Sequence, residues 1–292
     1  MREHLAVMSR SRAIPLLGIL VVLSAVVVAD EHVDQDKAVA TLEAADAVVH
    51  RVGDGLSVFF RVENFDGGEV VPALDDDRFA TIAWPSRITR LDLERVDITD
   101  VSFGALASLK SLEQLGISSC ARLTDEGLAE LLKNLDSLGT LYLNDLSVGD
   151  NGLRHVGVLK KLRYLTLSRT DVTDVSLEFI ANASSLEELS VSRTSITGSG
   201  FAHLATLKRL VRLELVGCHV ETSHLRKLPK LSGLRFLNLD DCDIDDEVVE
   251  HLSRMKQLST LRIIDTDISK EGVDRLRAAL PECKIVWRPV RP

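Results

Sequence analysis

The feature that most constrains this chain is a period. Ile88, Leu112, Leu138, Leu162, Leu186, Leu210, Leu234 and Leu258 each open the pattern L-x-x-L-x-L. They follow one another at 24 residues, except for 26 between Leu112 and Leu138. The fourth position is Leu throughout: Leu91, Leu115, Leu141, Leu165, Leu189, Leu213, Leu237 and Leu261. The sixth is always aliphatic, from Leu93 and Ile117 to Leu239 and Ile263. A chain with such self-similarity stacks its units side by side. Burying half a dozen aliphatics cannot offset the ordering of 24 backbones, so a unit folds only when neighbours cover both its flanks.

Each unit divides in two. The alternation in L-x-x-L-x-L is that of a short strand with one buried face. A turn follows with an inward aliphatic: Ile98, Val148, Val172, Ile196, Val220, Ile244 or Ile268. After it, apolar residues three apart, such as Leu177 and Ile180, predict a short helix. Asp100, Asp125 and Asp174 stand where a carboxylate could cap that helix. The expected fold class is therefore an α/β solenoid, a horseshoe with a parallel sheet on its concave face and short helices on its convex face.

The ends depart from the period. Leu74, Phe79 and Ile82 match Ile98, Phe103 and Leu106 at an offset of 24, which predicts a half-repeat before Ile88. Asp36–Ala47 has a helical pattern, and Gly53-Asp54-Gly55 between two apolar runs marks a hairpin. Ile285 and Trp287 fall where a ninth strand would place them, after Pro281 has stopped a helix. Trp84 and Trp287, near opposite ends, suit the covering of an open core. Residues 1–29 form a basic start (Arg2, Arg10, Arg12) and an uncharged run from Ala13 to Ala29, expected to be a signal peptide or a membrane anchor. The expected division is thus 1–29 leader, 30–73 N-terminal cap, 74–280 half-repeat plus eight repeats, and 281–292 C-terminal cap. Such a chain would act outside the cytoplasm, touching a membrane only through an uncleaved anchor.

The residues of the repeat resemble those of leucine-rich-repeat proteins across about 74–287. Cys120-Ala121-Arg122-Leu123-Thr124-Asp125-Glu126-Gly127-Leu128 is similar to C-x-x-[IL]-T-D-x-G-L of the cysteine-containing subclass familiar from F-box substrate receptors. The 24-residue spacing, the N-terminal leader and the closing Leu280-Pro281-Glu282-Cys283-Lys284-Ile285 look like exported bacterial members. The resemblance implies a horseshoe and protein binding, and no particular ligand.

Catalytic chemistry finds no footing in the sequence. G-x-S-x-G, H-E-x-x-H, Walker A and G-x-G-x-x-G are absent, so neither catalytic residues nor a cofactor are expected. Cys120, Cys218 and Cys242 share the ninth position of their units, which suits small inward side chains; Cys218 and Cys242, on adjacent rungs, could also oxidise after export. Without a C-x-x-C pair, and with His155, His203 and His251 two rungs apart, about 10 Å, no metal site is expected. Asn182-Ala183-Ser184 is a glycosylation sequon, which matters only in a eukaryotic secretory pathway. The net charge is −9, and −11 once Arg2, Arg10, Arg12 and Glu3 of the leader are set aside, which repels nucleic acid.

The informative positions are those facing outward from the strands. The chain's two tyrosines, Tyr142 and Tyr164, both lie there on adjacent rungs, and Tyr and Arg dominate binding hot spots. The candidate ligand-binding set is Tyr142, Tyr164, Thr166, Arg169, Arg193, Arg212 and Phe236. A protein or peptide partner is expected there, with a glycan as a second option. The alternatives are a structural or assembly protein of the cell envelope using its helical face, and an F-box-like substrate receptor of a ubiquitin ligase.

Overall fold

The computed structural model describes residues 20–22, 35–45, 47–52, 55–63, 74–84 and 87–289. Within these, twelve strands form one sheet. β1 (Leu20–Val22) runs antiparallel to the end of β3 (Gly55–Glu63). The rest of the expected leader lies outside the described residues. Helix α1 (Gln35–Ala44) precedes β2 (Val48–Val52), which pairs with β3 as the hairpin marked by Gly53-Asp54-Gly55. From β3 onward the pairing is parallel and strictly sequential: β4 (Ile88–Glu94), β5 (Gln114–Ser118), β6 (Thr140–Asn144), β7 (Tyr164–Thr166), β8 (Glu188–Ser190), β9 (Arg212–Glu214), β10 (Phe236–Asn238), β11 (Thr260–Thr266) and β12 (Lys284–Pro289).

The register follows the repeat. Leu91, Leu115, Leu141, Leu165, Leu189, Leu213, Leu237 and Leu261 pair in one unbroken row that Ile285 continues. All eight leucines are buried, as are the turn aliphatics from Ile98 to Ile268. Leu74, Phe79 and Ile82, the half-repeat, are buried beside them around α2 (Asp76–Ala80). Trp84 tilts against Phe79 at 4.6 Å between ring centres, and Trp287 donates its indole N–H to the carbonyl of Ile268 at 3.1 Å.

On the opposite face lie α3 (Asp100–Leu106), α4 (Asp125–Leu132), α5 (Ser176–Ile180), α6 (Thr222–Leu225), α7 (Val249–Leu252) and α8 (Lys270–Ala279). 3-10 turns replace the predicted helix at Asp150–Leu153, Val156–Val158 and Ser199–Thr206, and adjoin α6 and α7 at Leu228–Lys230 and Asp246–Val248. Of the units from Leu112 to Leu234, the 26-residue one carries the longest α-helix, α4. Unit length alone does not decide the helix type, since the 24-residue units opened by Ile88 and Leu258 carry α3 and α8. Strands stack about 4.8 Å apart while helices need 8–10 Å, so the sheet takes the inside of the curve.

The aspartates of the turn do not cap their own helices; each reaches to the next rung. Thr99, Thr124 and Ser269 are the N-caps of α3, α4 and α8. The carboxylate of Asp100 accepts from the N–H and hydroxyl of Thr124, that of Asp150 from Thr173 and Ser176, and that of Asp246 from Ser269. Asp174 takes the N–H groups of Thr197, Gly198 and Gly200 and the Thr197 hydroxyl, at 2.8–3.0 Å. This also explains the glycine of T-D-x-G-L. A Cβ on Gly127 would lie 2.0 Å from the Asp100 carboxylate, and where Ser102 and Ser176 replace it their hydroxyls bond to Asp76 and Asp150.

A second ladder runs along the strand ends. Arg95, Ser119, Asp145, Arg169, Arg193, Gly217, Asp241 and Asp265 all have positive φ, between 52° and 65°. This left-handed residue turns the chain out of the strand, and from Arg95 to Asp241 each donates its N–H to a carbonyl of the next rung, as Arg169 does to Ser192 at 3.0 Å.

Candidate ligand-binding face

Because the sheet is in register, its outward residues form rows. Tyr142 lies between Gly116 and Thr166, and Tyr164 between Thr140 and Glu188. The two rings are therefore diagonal neighbours. Gly116 leaves a gap beside Tyr142 into which Asp92 leans: a Cβ there would stand 2.1 Å from the Asp92 carboxylate. Burial pushes Asp92 up, against the lowering effect of its hydrogen bond with Gln114 and of Arg90. Tyr142 is raised as well, first by burial and then by the charges of Asp92 and Glu188.

Tyr142, Tyr164, Thr166, Glu188, Ser190, Arg212 and Glu214 line a depression of ≈ 100 Å³, floored by Leu165 and Leu189. Arg212 crosses it. Its guanidinium bonds to Glu214 through Nε at 3.0 Å and Nη2 at 2.5 Å, stands 3.7 Å from Glu188, and lies 3.6 Å over the Phe236 ring. On the other side Arg163 lies 5.2 Å over Tyr164 and bonds to Glu187 at 2.6 Å. The volume holds the end of one side chain, well short of a pocket that engulfs a small molecule.

Of the sequence-derived set, Tyr142, Tyr164, Thr166 and Arg212 meet at this depression, with Phe236 behind Arg212. Arg169 and Arg193 do not line it. Both occupy the left-handed strand-end position, where Arg169 pairs with Asp145 at 3.2 Å and Arg193 with Asp241 at 3.7 Å, across the rung whose strand-end residue is Gly217. Glu188 and Glu214 line the depression but were absent from the candidate set. The signal for them was their register beside Tyr164 and Arg212. Toward β11 the face is tied up internally, since Asp240 takes Arg262 and the Ile264 N–H, and Asn238 takes the Asp240 N–H.

The cysteines sit where their shared position predicts, beside the turn backbone. Cys218 and Cys242 donate their thiols to the carbonyls of Val191 and Leu215, each at 3.1 Å, and Cys120 points to Leu93 at 3.7 Å. Thr170, Thr194 and Thr266, at the same position, bond within their own units. Among the described residues no group of three or more His, Cys, Asp and Glu could hold a metal ion, and no helix is long and apolar enough to cross a membrane.

No family model and no curated protein matches the sequence. Solved structures do. An internalin (inlC2) from Listeria monocytogenes is 26% identical over 63% of this chain and 76% of that one, with a TM-score of 0.50. An internalin (inlF) from the same organism is 21% identical over 73% and 70%, with a TM-score of 0.49. Taken with the register, the strand-end turns and the buried leucine rows, the inlC2 likeness gives the fold: the chain is an α/β leucine-rich-repeat solenoid.

Proposed function

We propose that this protein is a non-catalytic scaffold, acting outside the cytoplasm, that binds a protein or peptide through its sheet face, centred on Tyr142 and Tyr164. The observation that carries the reading is where the two tyrosines lie. Both are on the open face on adjacent rungs, at a depression, and Tyr142 keeps 36% of its surface exposed with no core to fill. Fixed aromatic rings on a rigid sheet lose little entropy on contact, which suits a hot spot. The internalin-like solenoid supports the same reading, and the leader-like residues 1–29 support its placement outside the cytoplasm.

The test uses the full chain as bait against the envelope and secreted fractions of its native host, beside the variant Tyr142→Ala/Tyr164→Ala, with both folds checked by circular dichroism. A partner held by the wild type should bind the double variant at least roughly 30-fold more weakly, as two truncated hot-spot residues require. Equal capture by both would move the site to the helical face and favour an envelope assembly role. Capture of a glycan, or of ubiquitin-ligase components, would replace the proposed class of partner.

A further inference from the structure

Among the described residues, four Phe and Tyr side chains face outward from the sheet: Phe59, in register with Asp92 and away from the depression, and Tyr142, Tyr164 and Phe236. Two already carry a cation of this chain, Arg163 over Tyr164 and Arg212 over Phe236. Among the described residues no cation lies over Tyr142, which faces Asp92 across Gly116, with Arg90 offsetting part of that charge, and shares the depression with Glu188. The surrounding charges are unbalanced in the same direction. Arg212 is the one cation lining the depression, against Glu188 and Glu214, and it bonds closely to Glu214 while standing 3.7 Å from Glu188. Glu188 therefore retains acceptor capacity, with 45% of its side chain exposed.

Resting on the binding reading above, we infer that the depression receives a basic side chain of the partner, a lysine or arginine whose cation lies over the Tyr142 ring and pairs with Glu188. The ≈ 100 Å³ of space suits the end of one long side chain. A cation within about 6 Å of a Tyr ring is attracted by the ring's quadrupole, and the neighbouring carboxylates add to that field. An acidic side chain would meet Asp92, Glu188 and Glu214, and an apolar one would desolvate Glu188 with only the 3.7 Å approach of Arg212 to offset it. The partner segment is thus basic, in keeping with a chain whose own net charge is −9.

The two tyrosines make the test direct. With ring-¹³C tyrosine, the full chain shows two labelled residues, assigned by Tyr142→Phe and Tyr164→Phe. N-acetyl-lysine methylamide and N-acetyl-arginine methylamide are titrated in at low salt, with the norleucine and glutamate analogues as controls. The cationic probes should shift the Tyr142 signal saturably, and Glu188→Gln should weaken that binding roughly fivefold, as should raising the salt. No shift with the cationic probes, an equal shift with norleucine, or indifference to Glu188→Gln would each overturn the inference. The binding face itself is judged separately. A partner lost by the Tyr142/Tyr164 double variant but unaffected by Glu188→Gln keeps the face and refutes the basic occupant.

Discussion

Replacing Asp174 by Ala removes one carboxylate and should loosen the junction between two rungs. Asp174 accepts four hydrogen bonds from the next unit, three from backbone N–H groups and one from the Thr197 hydroxyl. Burial alone would raise its pKa, yet the bonds from Gly200 and Thr197 outweigh it and hold the group below its ordinary 3.8. Bonds to a charged acceptor contribute roughly 1.5–3 kcal/mol each, but they are not additive and water reaches part of this site, so a loss of about 2–4 kcal/mol is expected. Urea unfolding followed by circular dichroism measures it, with Asp171→Ala, an exposed neighbour, as control. Hydrogen exchange should show the amides of Thr197, Gly198 and Gly200 losing protection first. The sign with pH follows from the lowered pKa. The carboxylate's contribution is complete above 3.8 and disappears as pH falls through the folded value, so the wild type and Asp174→Ala should converge in acid. A variant within about 0.5 kcal/mol of the Asp171→Ala control, with unchanged exchange at those amides, would refute the ladder as a coupling between repeats.

The ladder is interrupted where Gly198 takes the aspartate's place, and Gly198→Asp should fail to restore it. At φ 95° a side chain is strained, and its Cβ would stand 2.6 Å from the Phe201 ring, so unfolding titrations should show a loss of about 1–3 kcal/mol where a gain would overturn the geometry. Burial pushes the Cys120 thiol up to about 11 and Cys242 to about 12, and raises Cys218 as well. In the native protein iodoacetamide should therefore modify half-buried Cys283 first and the other three after denaturation; peptide mass spectrometry showing Cys218 or Cys242 reacting as fast, or joined in a disulfide, would count against this packing.

The fold was legible because a stacked solenoid writes the same constraint many times. Leu91 alone says little, but Leu91, Leu115 and six more at one register can satisfy only a parallel sheet with one buried face. What escaped was whatever depends on a neighbour one rung away. Asp174 looks like a helix cap from its local sequence, because capping is a local idea, while its partner Thr197 lies 23 residues on. The left-handed turn escaped for a different reason. Glycine would have flagged it, but Arg95, Ser119, Asp145 and Arg169 occupy it on successive rungs, their strain offset by the hydrogen bonds of both ladders. The 3-10 turns were hidden too, since apolar spacing of three fits both helix types.

The site was harder to read than the fold for the same reason that the fold was easy. Every rung presents outward positions, so a functional residue is visible only as one that the scaffold does not use. Sequence can list Arg169, Arg193, Arg262 and Tyr142 as equals; the structure separates them by what they satisfy. Arg169 and Arg193 answer to Asp145 and Asp241, and Arg262 to Asp240. The depression of Tyr142, Tyr164 and Glu188 is set apart by Gly116, which withholds a side chain beside it, and by Arg212, which bonds closely to Glu214 and comes no nearer than 3.7 Å to Glu188. On a regular scaffold, a candidate binding site is the place where the scaffold's own pairing is loosest.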